Sequence, residues 1–317
     1  MDTLMKAATY NHPKEIPMQI GTIPLVWMHY GEEMVRIAKE YPEYFPDIPD
    51  INNIDSILPP RYRSGEWVDE WGCVWTNIEE GMDAIVNGHP LKTREDILAL
   101  KIPEINKDNL LPHGFMYLRI LDTRGFEEAM VDFAEECDEL QVLIDKILEY
   151  NLRQIDFMLE GKPQAWWFGD DLGMQKGLAI GPDKWRKYMK PCFKKMYDKV
   201  RAADCLVYMH TDGMIYEIIP DLIECGVNLL NPQYRANGLD NIEKTCKGKL
   251  PVLLDLDRQM LPFCTVSDVD SHIRECVETM YLPEGGLAII GQITQDFPLD
   301  NIVAMCEAFR KYRVYKG

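Results

Sequence analysis

The chain has 317 residues, with 34 basic against 52 acidic side chains and a formal charge of -18. That balance excludes a nucleic-acid binder and a protein that docks on anionic lipid, since both depend on clustered Lys and Arg. The 9 cysteines are odd in number and form no Cys-x-x-Cys pair, which points to reduced thiols and a cytoplasmic setting. No run of roughly eighteen apolar residues exists to span a bilayer, and "MDTLMKAATYNHPKEIP" lacks the apolar centre of a secretory leader.

Residues 1–110 read as an irregular part rich in proline and aromatics. It holds a short helix in "GEEMVRIAKEYPEYF" and a turn signal at Pro59-Pro60. Within it, "GEWVDEWGCVWTN" alternates apolar and polar residues and predicts a hairpin. Its tryptophans, Trp71 among them, serve either as core packing or as a lid over an apolar ligand.

From residue 111 the rhythm is regular. "GFMYLRILD" has strand character and "GFEEAMVDFAEE" has helical spacing. "CDELQVLIDKILEYNLRQIDFMLEGK" predicts one long amphipathic helix that Gly161 and Pro163 stop. "QAWWFGDDLG" is a strand ending in two aspartates, and "GPDKWRKYMKPCFKKMYDKVRAAD" is helical at both ends, with Pro191 as a kink or boundary. Then strands and helices alternate. "CLVYMH" leads into "MIYEIIPDLIEC", and "VNLLNPQ" into a helix around "NIEKTCKGK". "PVLLDLD" leads into "SDVDSHIRECVETMY", and "GLAIIGQIT" into "PLDNIVAMCEAFRKYR".

Such units predict a parallel sheet wrapped by helices. No Gly-x-Gly-x-x-Gly follows any strand, so a closed (β/α)8 TIM-type barrel outranks a dinucleotide-binding sheet. The expected organisation is a single barrel domain over 1–317, with 1–110 covering the barrel mouth and 111–317 supplying the βα units.

Barrel chemistry sits at the C-terminal strand ends. Those ends carry Asp170-Asp171 with Gln175 shortly after, His210 and Asp212, Asn231 and Gln233, Asp255 and Asp257, and Gln292. Any one of them is explicable as a helix cap or turn; five polar endings in succession point to one mouth. Asp212 alone would be the Asp of an Asp-Gly turn, and His210 alone a hydrogen-bonded core histidine. Together, His-x-Asp suits a metal or proton transfer, and zinc if further ligands converge.

Several motifs carry a resemblance. "GDDLGMQKGLAIGPDKWRKYMKP", "HTDGMIYEIIPDLIECGVNLLNPQ", "LDRQMLPFCTVSDV" and "DFPLDNIVAMCEA" resemble, in order and spacing, the uroporphyrinogen decarboxylase superfamily. The hairpin with the following "HPLKTREDI" is similar to the branch of corrinoid-dependent methyltransferases, including those that demethylate aryl methyl ethers. The resemblance implies a (β/α)8 barrel with its site at the mouth. The porphyrinogen-binding pattern Arg-Gln-Ala-Gly-Arg is absent, and the first forty residues offer only Arg36. A substrate with many carboxylates needs several buried cations, so haem biosynthesis is not expected. Relatives that methylate coenzyme M bind zinc through His-x-Cys and a later Cys. Here His210 matches the histidine, and Asp212 and Gln292 stand where the thiolates would be. Oxygen donors suit an ether oxygen better than a thiol.

The resemblance therefore implies methyl transfer from a small methylated donor, an aryl methyl ether in the leading reading, to a corrinoid carried by a partner protein. His210, Asp212 and Asp171 would be catalytic, and Gln175, Gln233, Asp255, Gln292 and Trp71 would bind substrate. His210, Asp212 and Gln292 would hold zinc, and a homodimer fits the family. Two alternatives stay open: a metal-free decarboxylase or lyase acting on a small carboxylated substrate, and a non-catalytic binding protein.

Overall fold

The computed structural model describes residues 2–53 and 58–317. Nine strands occur among them: β1 (Met18–Thr22), β2 (Gly65–Val68), β3 (Val74–Asn77), β4 (Ile85–Gly88), β5 (Ala165–Gly169), β6 (Leu206–Thr211), β7 (Leu229–Pro232), β8 (Val252–Asp255) and β9 (Leu287–Ile293). The chain forms two compact units. The first comprises Met1–Gly65, Asn77–Ile85 and Gln233–Gly317, and the second Glu66–Thr76 and Val86–Pro232.

In the second unit β5, β6 and β7 run parallel, with Gly169 beside His210 and His210 beside Asn231. Helices Asp138–Glu160 and Lys190–Arg201 cover one side. Phe168 of β5 is fully buried and packs its ring near Phe115 and Tyr197, at 5.6 and 5.0 Å between centroids. Burying such a side chain contributes about 2–3 kcal/mol. In the first unit β8, β9 and β1 are again parallel. All four residues of β8 are buried, as expected of a parallel strand covered on both faces.

Six parallel strands are thus present among the described residues, three in each unit, in an α/β arrangement. The expectation was eight. Two segments depart from the pattern reading. "GFMYLRILD" does not form a strand: Tyr117–Arg124 is a helix. Its apolar run fits either period, and the helix wins because the Asp170 carboxylate accepts hydrogen bonds from the Tyr117 and Leu118 amides in its first turn. Met18–Thr22, inside the part read as irregular, is a strand of the parallel sheet. Pro17 and Pro24 flank it so closely that it leaves no alternation to detect.

Pro191 is a boundary. A π-helical turn, Trp185–Met189, precedes it, and Pro191 sits in the first turn of Lys190–Arg201, where its missing N–H costs nothing.

The tryptophan-rich segment forms β2 and β3 of a three-stranded sheet ordered β2-β3-β4. Asp69 ties its turn: the carboxylate accepts from the amides of Trp71 and Cys73, both at 2.9 Å, from the Trp75 indole at 3.0 Å and from Arg119 at 2.6 Å. No helix among the described residues is long and apolar enough to cross a membrane.

Candidate functional site

Side chains on a strand alternate between faces. On β5 and just beyond it, Phe168 and Asp170 face the helices, whereas Trp167, Gly169 and Asp171 share the opposite face. On β6, Tyr208, His210 and Asp212 fall on that same face, in register beside Trp167 and Gly169. On β7 Asn231 stands beside His210. The one-residue gap in His-x-Asp is therefore the strand period, and it delivers both side chains to one side.

Parity also separates the adjacent aspartates. Asp170 is fully buried, and its carboxylate holds the start of helix Tyr117–Arg124, the Leu118 amide lying 2.9 Å away. Burial pushes its carboxyl up to about 7 despite those two amides. Asp171 turns the other way, where its Oδ2 lies 3.0 Å from Nε2 of His113. Its Oδ1 accepts from the Asp212 amide at 2.9 Å and stands 3.8 Å from Nε2 of His210.

His113 precedes the helix, in a loop whose Gly114 amide donates to the Gly169 carbonyl at 2.7 Å. Its ring lies over Gly169: a Cβ there would overlap Nδ1 and come within 3.3 Å of Cγ and Cε1. The His113 and His210 rings are 5.7 Å apart. Nδ1 of His210 lies 2.8 Å from the Asn231 amide oxygen, so Nδ1–H donates there and Nε2 is left for the site. Asp212 Oδ1 is 3.3 Å from that Nε2.

Glycines close the frame. Gly173 and Gly213, each following an acidic motif, pack backbone to backbone; a Cβ on Gly173 would meet the Gly213 carbonyl carbon at 2.6 Å.

The electrostatics follow. Burial alone would lower His113, but the hydrogen bond and charge of Asp171 outweigh it and hold the imidazole above its ordinary value. His210 behaves alike: burial lowers it, and Asp212, then Asp171, raise it overall. Burial would raise Asp171, yet His113, the Asp212 amide and His210 bring it below the usual carboxylate range.

One ligand atom each from His113, Asp171 and His210 lies within 4.8 Å of the others. The donor set fits zinc. Two imidazoles and a carboxylate leave a fourth position open, as in catalytic sites, and ligand atoms around tetrahedral zinc stand about 3.3 Å apart. One Asp171 oxygen lies 3.0 Å from His113 and the other 3.8 Å from His210, both near that spacing.

His210, Asp171 and Asp212 are thus brought together. His113 is not legible from strand ends, because "LPHGF" lies in a loop. Its signal was a histidine held between Pro112 and Gly114 with no regular element to bury it. Gln175 is exposed at a turn closed by the Met174 amide on the Gly177 carbonyl. Trp71 is buried against Tyr150, 5.0 Å between centroids, beside Arg119.

The remaining expected residues belong to the first unit. Gln233 is paired across a β-bridge with Asp255 and accepts from the Asn237 amide group through its backbone carbonyl. Asp255 is buried, 3.4 Å from Arg258. The Gln292 side chain lies over Gly21 of β1, where a Cβ would overlap it. Asp257 pairs with Arg235 and caps the turn at Gln259 and Met260.

Parallel strands that place alternating His, Asp and Asn at their C-terminal ends define an α/β protein with a strand-end polar site. The chain belongs to the uroporphyrinogen decarboxylase (URO-D) family, whose model matches residues 115–312. Its fold is similar to that of a methyltransferase from Methanosarcina mazei, at 16% identity, a TM-score of 0.67 and 98% coverage of both chains. Dihydropteroate synthases from Xanthomonas albilineans and Burkholderia cenocepacia are similar over 47% of this chain and 57% and 55% of theirs. Their identities are 15% and 14% and their TM-scores 0.33 and 0.32, a partial likeness without functional weight. No curated protein matches the sequence.

Proposed function

We propose that the chain is a methyltransferase that moves a methyl group from a small methylated donor, an aryl methyl ether by class, to a corrinoid held by a partner protein. The (β/α)8 barrel expected of the family would carry it. The observation that carries this reading is the convergence of His113, Asp171 and His210 around one point, with Asp212 beside it.

Cleaving an ether leaves both bonding electrons on oxygen, so the site must stabilise a departing phenolate. Zinc held by His113, Asp171 and His210 would supply that as a Lewis acid. The protein's own part is orientation. Asn231 fixes the His210 tautomer, Asp171 aims His113, and Asp212 stands at Nε2 of His210, where it can take up or return the proton that a phenol product requires. The acidic surroundings disfavour a polycarboxylate substrate.

The test is metal content and transfer together. Protein purified without chelator should hold near-stoichiometric zinc, lost in H113A, D171A and H210A, and should methylate a reduced corrinoid from a methoxyarene. Folded wild type without zinc and without transfer from any donor in a broad panel would sink the reading.

A second reading has its own support. Both imidazoles are held above the ordinary histidine value, so without metal they are poised to donate a proton to the carbanion left by a departing carboxylate. Metal-independent CO2 release with solvent deuterium entering the product would establish it instead.

A further inference from the structure

Trp167 is 42% exposed although it lies on β5 beside β6, while its neighbour Phe168 is completely buried. An indole left this open gives up much of the stabilisation that burying it would bring. Strand parity places it on the face of Gly169 and Asp171, and its register partner Tyr208 on the face of His210 and Asp212. Tyr208 meets the indole edge to face, 5.4 Å between centroids and 75° between planes, which holds its orientation. Two residues along a strand span about 7 Å, so the side chain of Trp167 leaves the same face about that far along the strand from position 169, over which the His113 ring sits. That reach suits one benzene ring bearing one substituent. Methanol or a methylamine is too small to touch both ends.

We propose that Trp167, propped by Tyr208, is the aromatic wall that receives the ring of an aryl substrate whose reacting group lies at His113 and His210. This deepens the methyl-transfer reading and rests on its placement of the reacting group. It assigns the choice between aryl and small aliphatic donors to a residue outside the polar cluster.

The test is equilibrium binding of 2-methoxyphenol, 2-hydroxyphenol and methanol to wild type, W167F, W167L and W167A, by calorimetry or ligand-observed NMR. Zinc content and thermal unfolding of each variant are measured alongside. Both arenes should bind wild type, W167F should retain affinity within about threefold, and W167L and W167A should lose about tenfold or more. Zinc content should not move. Arene affinity unchanged in W167A and W167L overturns the proposal, as does a zinc-loaded wild type that binds neither arene; both results leave the metal site standing. Arene binding lost with Trp167 in a protein that holds no zinc supports the wall and overturns the metal reading instead.

Discussion

Replacing Gly169 with alanine should unseat His113 while leaving β5 intact. Gly169 is not among the glycines at positive φ, so alanine meets no backbone penalty, and in a strand it gains about 0.5–1 kcal/mol over glycine. The new methyl would overlap Nδ1 of His113 and sit 3.3 Å from Cγ and Cε1. Relief requires the ring to retreat by roughly 1 Å to reach van der Waals separation. Nε2 moves with the ring, away from its 3.0 Å contact with Asp171. Metal bonds tolerate only about 0.2 Å, so zinc affinity should fall about 10–100-fold, the range seen when a ligand loses its orientation. Competition against a chromophoric zinc chelator measures this, and thermal unfolding of the metal-free protein should shift by only a few degrees. A double-mutant cycle read in the unfolding of the metal-free protein makes the test sharp, because in H113A the added methyl has no ring to displace and G169A should cost nothing there. Equal losses in both backgrounds, or wild-type zinc affinity in G169A, would refute the placement of His113.

D69A removes the acceptor for Trp71, Cys73, Trp75 and Arg119, whose side chain is 6% exposed. Leaving that guanidinium buried and unpaired should cost about 3–5 kcal/mol in urea denaturation, and a loss under about 1 kcal/mol would contradict the clasp. His272 is buried, is lowered to about 4 by desolvation, and accepts from the Asp257 amide. The unfolded chain therefore binds the extra proton between pH 6.5 and 4, so roughly 3 kcal/mol of stability present above that window is lost through it. H272Q should flatten that slope, and an unchanged pH profile would show the histidine to be exposed in solution. D170A should lower stability by about 1–3 kcal/mol by orphaning two amides, whereas D171A should abolish zinc binding and, by removing the acceptor of only the Asp212 amide, cost the metal-free protein less. The reverse pattern would overturn the division of the two aspartates between faces. Zinc must displace protons from His113 and His210, both raised by neighbouring carboxylates, so its affinity should weaken steadily as pH falls below about 7. Affinity flat between pH 8 and 6 would exclude imidazole ligands.

The strands of the C-terminal two thirds were legible because buried parallel strands are short, apolar and bounded by turns. "CLVYMH", "VNLLNPQ", "PVLLDLD" and "GLAIIGQIT" each form one. Tyr117–Arg124 is not legible as a helix because its apolar residues suit both periods, and the deciding interaction comes from Asp170, far away in sequence. Met18–Thr22 was missed for the opposite reason: its partner β9 defines it, and its own five residues hold too little pattern. His210, Asp171 and Asp212 could be found at strand ends, but His113 could not. It reaches the site through a loop, seated by the absence of a side chain at Gly169. A rule that reads only what strands present cannot see a residue admitted by what a strand omits.

Asp212 shows how this frame separates chemistry from folding. Its amide donates to Asp171 at 2.9 Å, and its carbonyl accepts from the Gly173 amide at 3.1 Å. Both contacts use only backbone groups of Asp212, and the adjoining Gly173–Gly213 packing admits no side chain. The carboxylate itself is 36% exposed and faces Nε2 of His210. Exchanging the side chain at 212 keeps these two backbone groups of residue 212 in place while changing what His210 meets. A carboxylate there raises the imidazole and presents hard oxygen, whereas a thiolate would present a soft donor suited to a thiol substrate. Under the proposed methyl transfer, the side chain at 212 would therefore set which donor stands beside His210, oxygen here rather than sulfur.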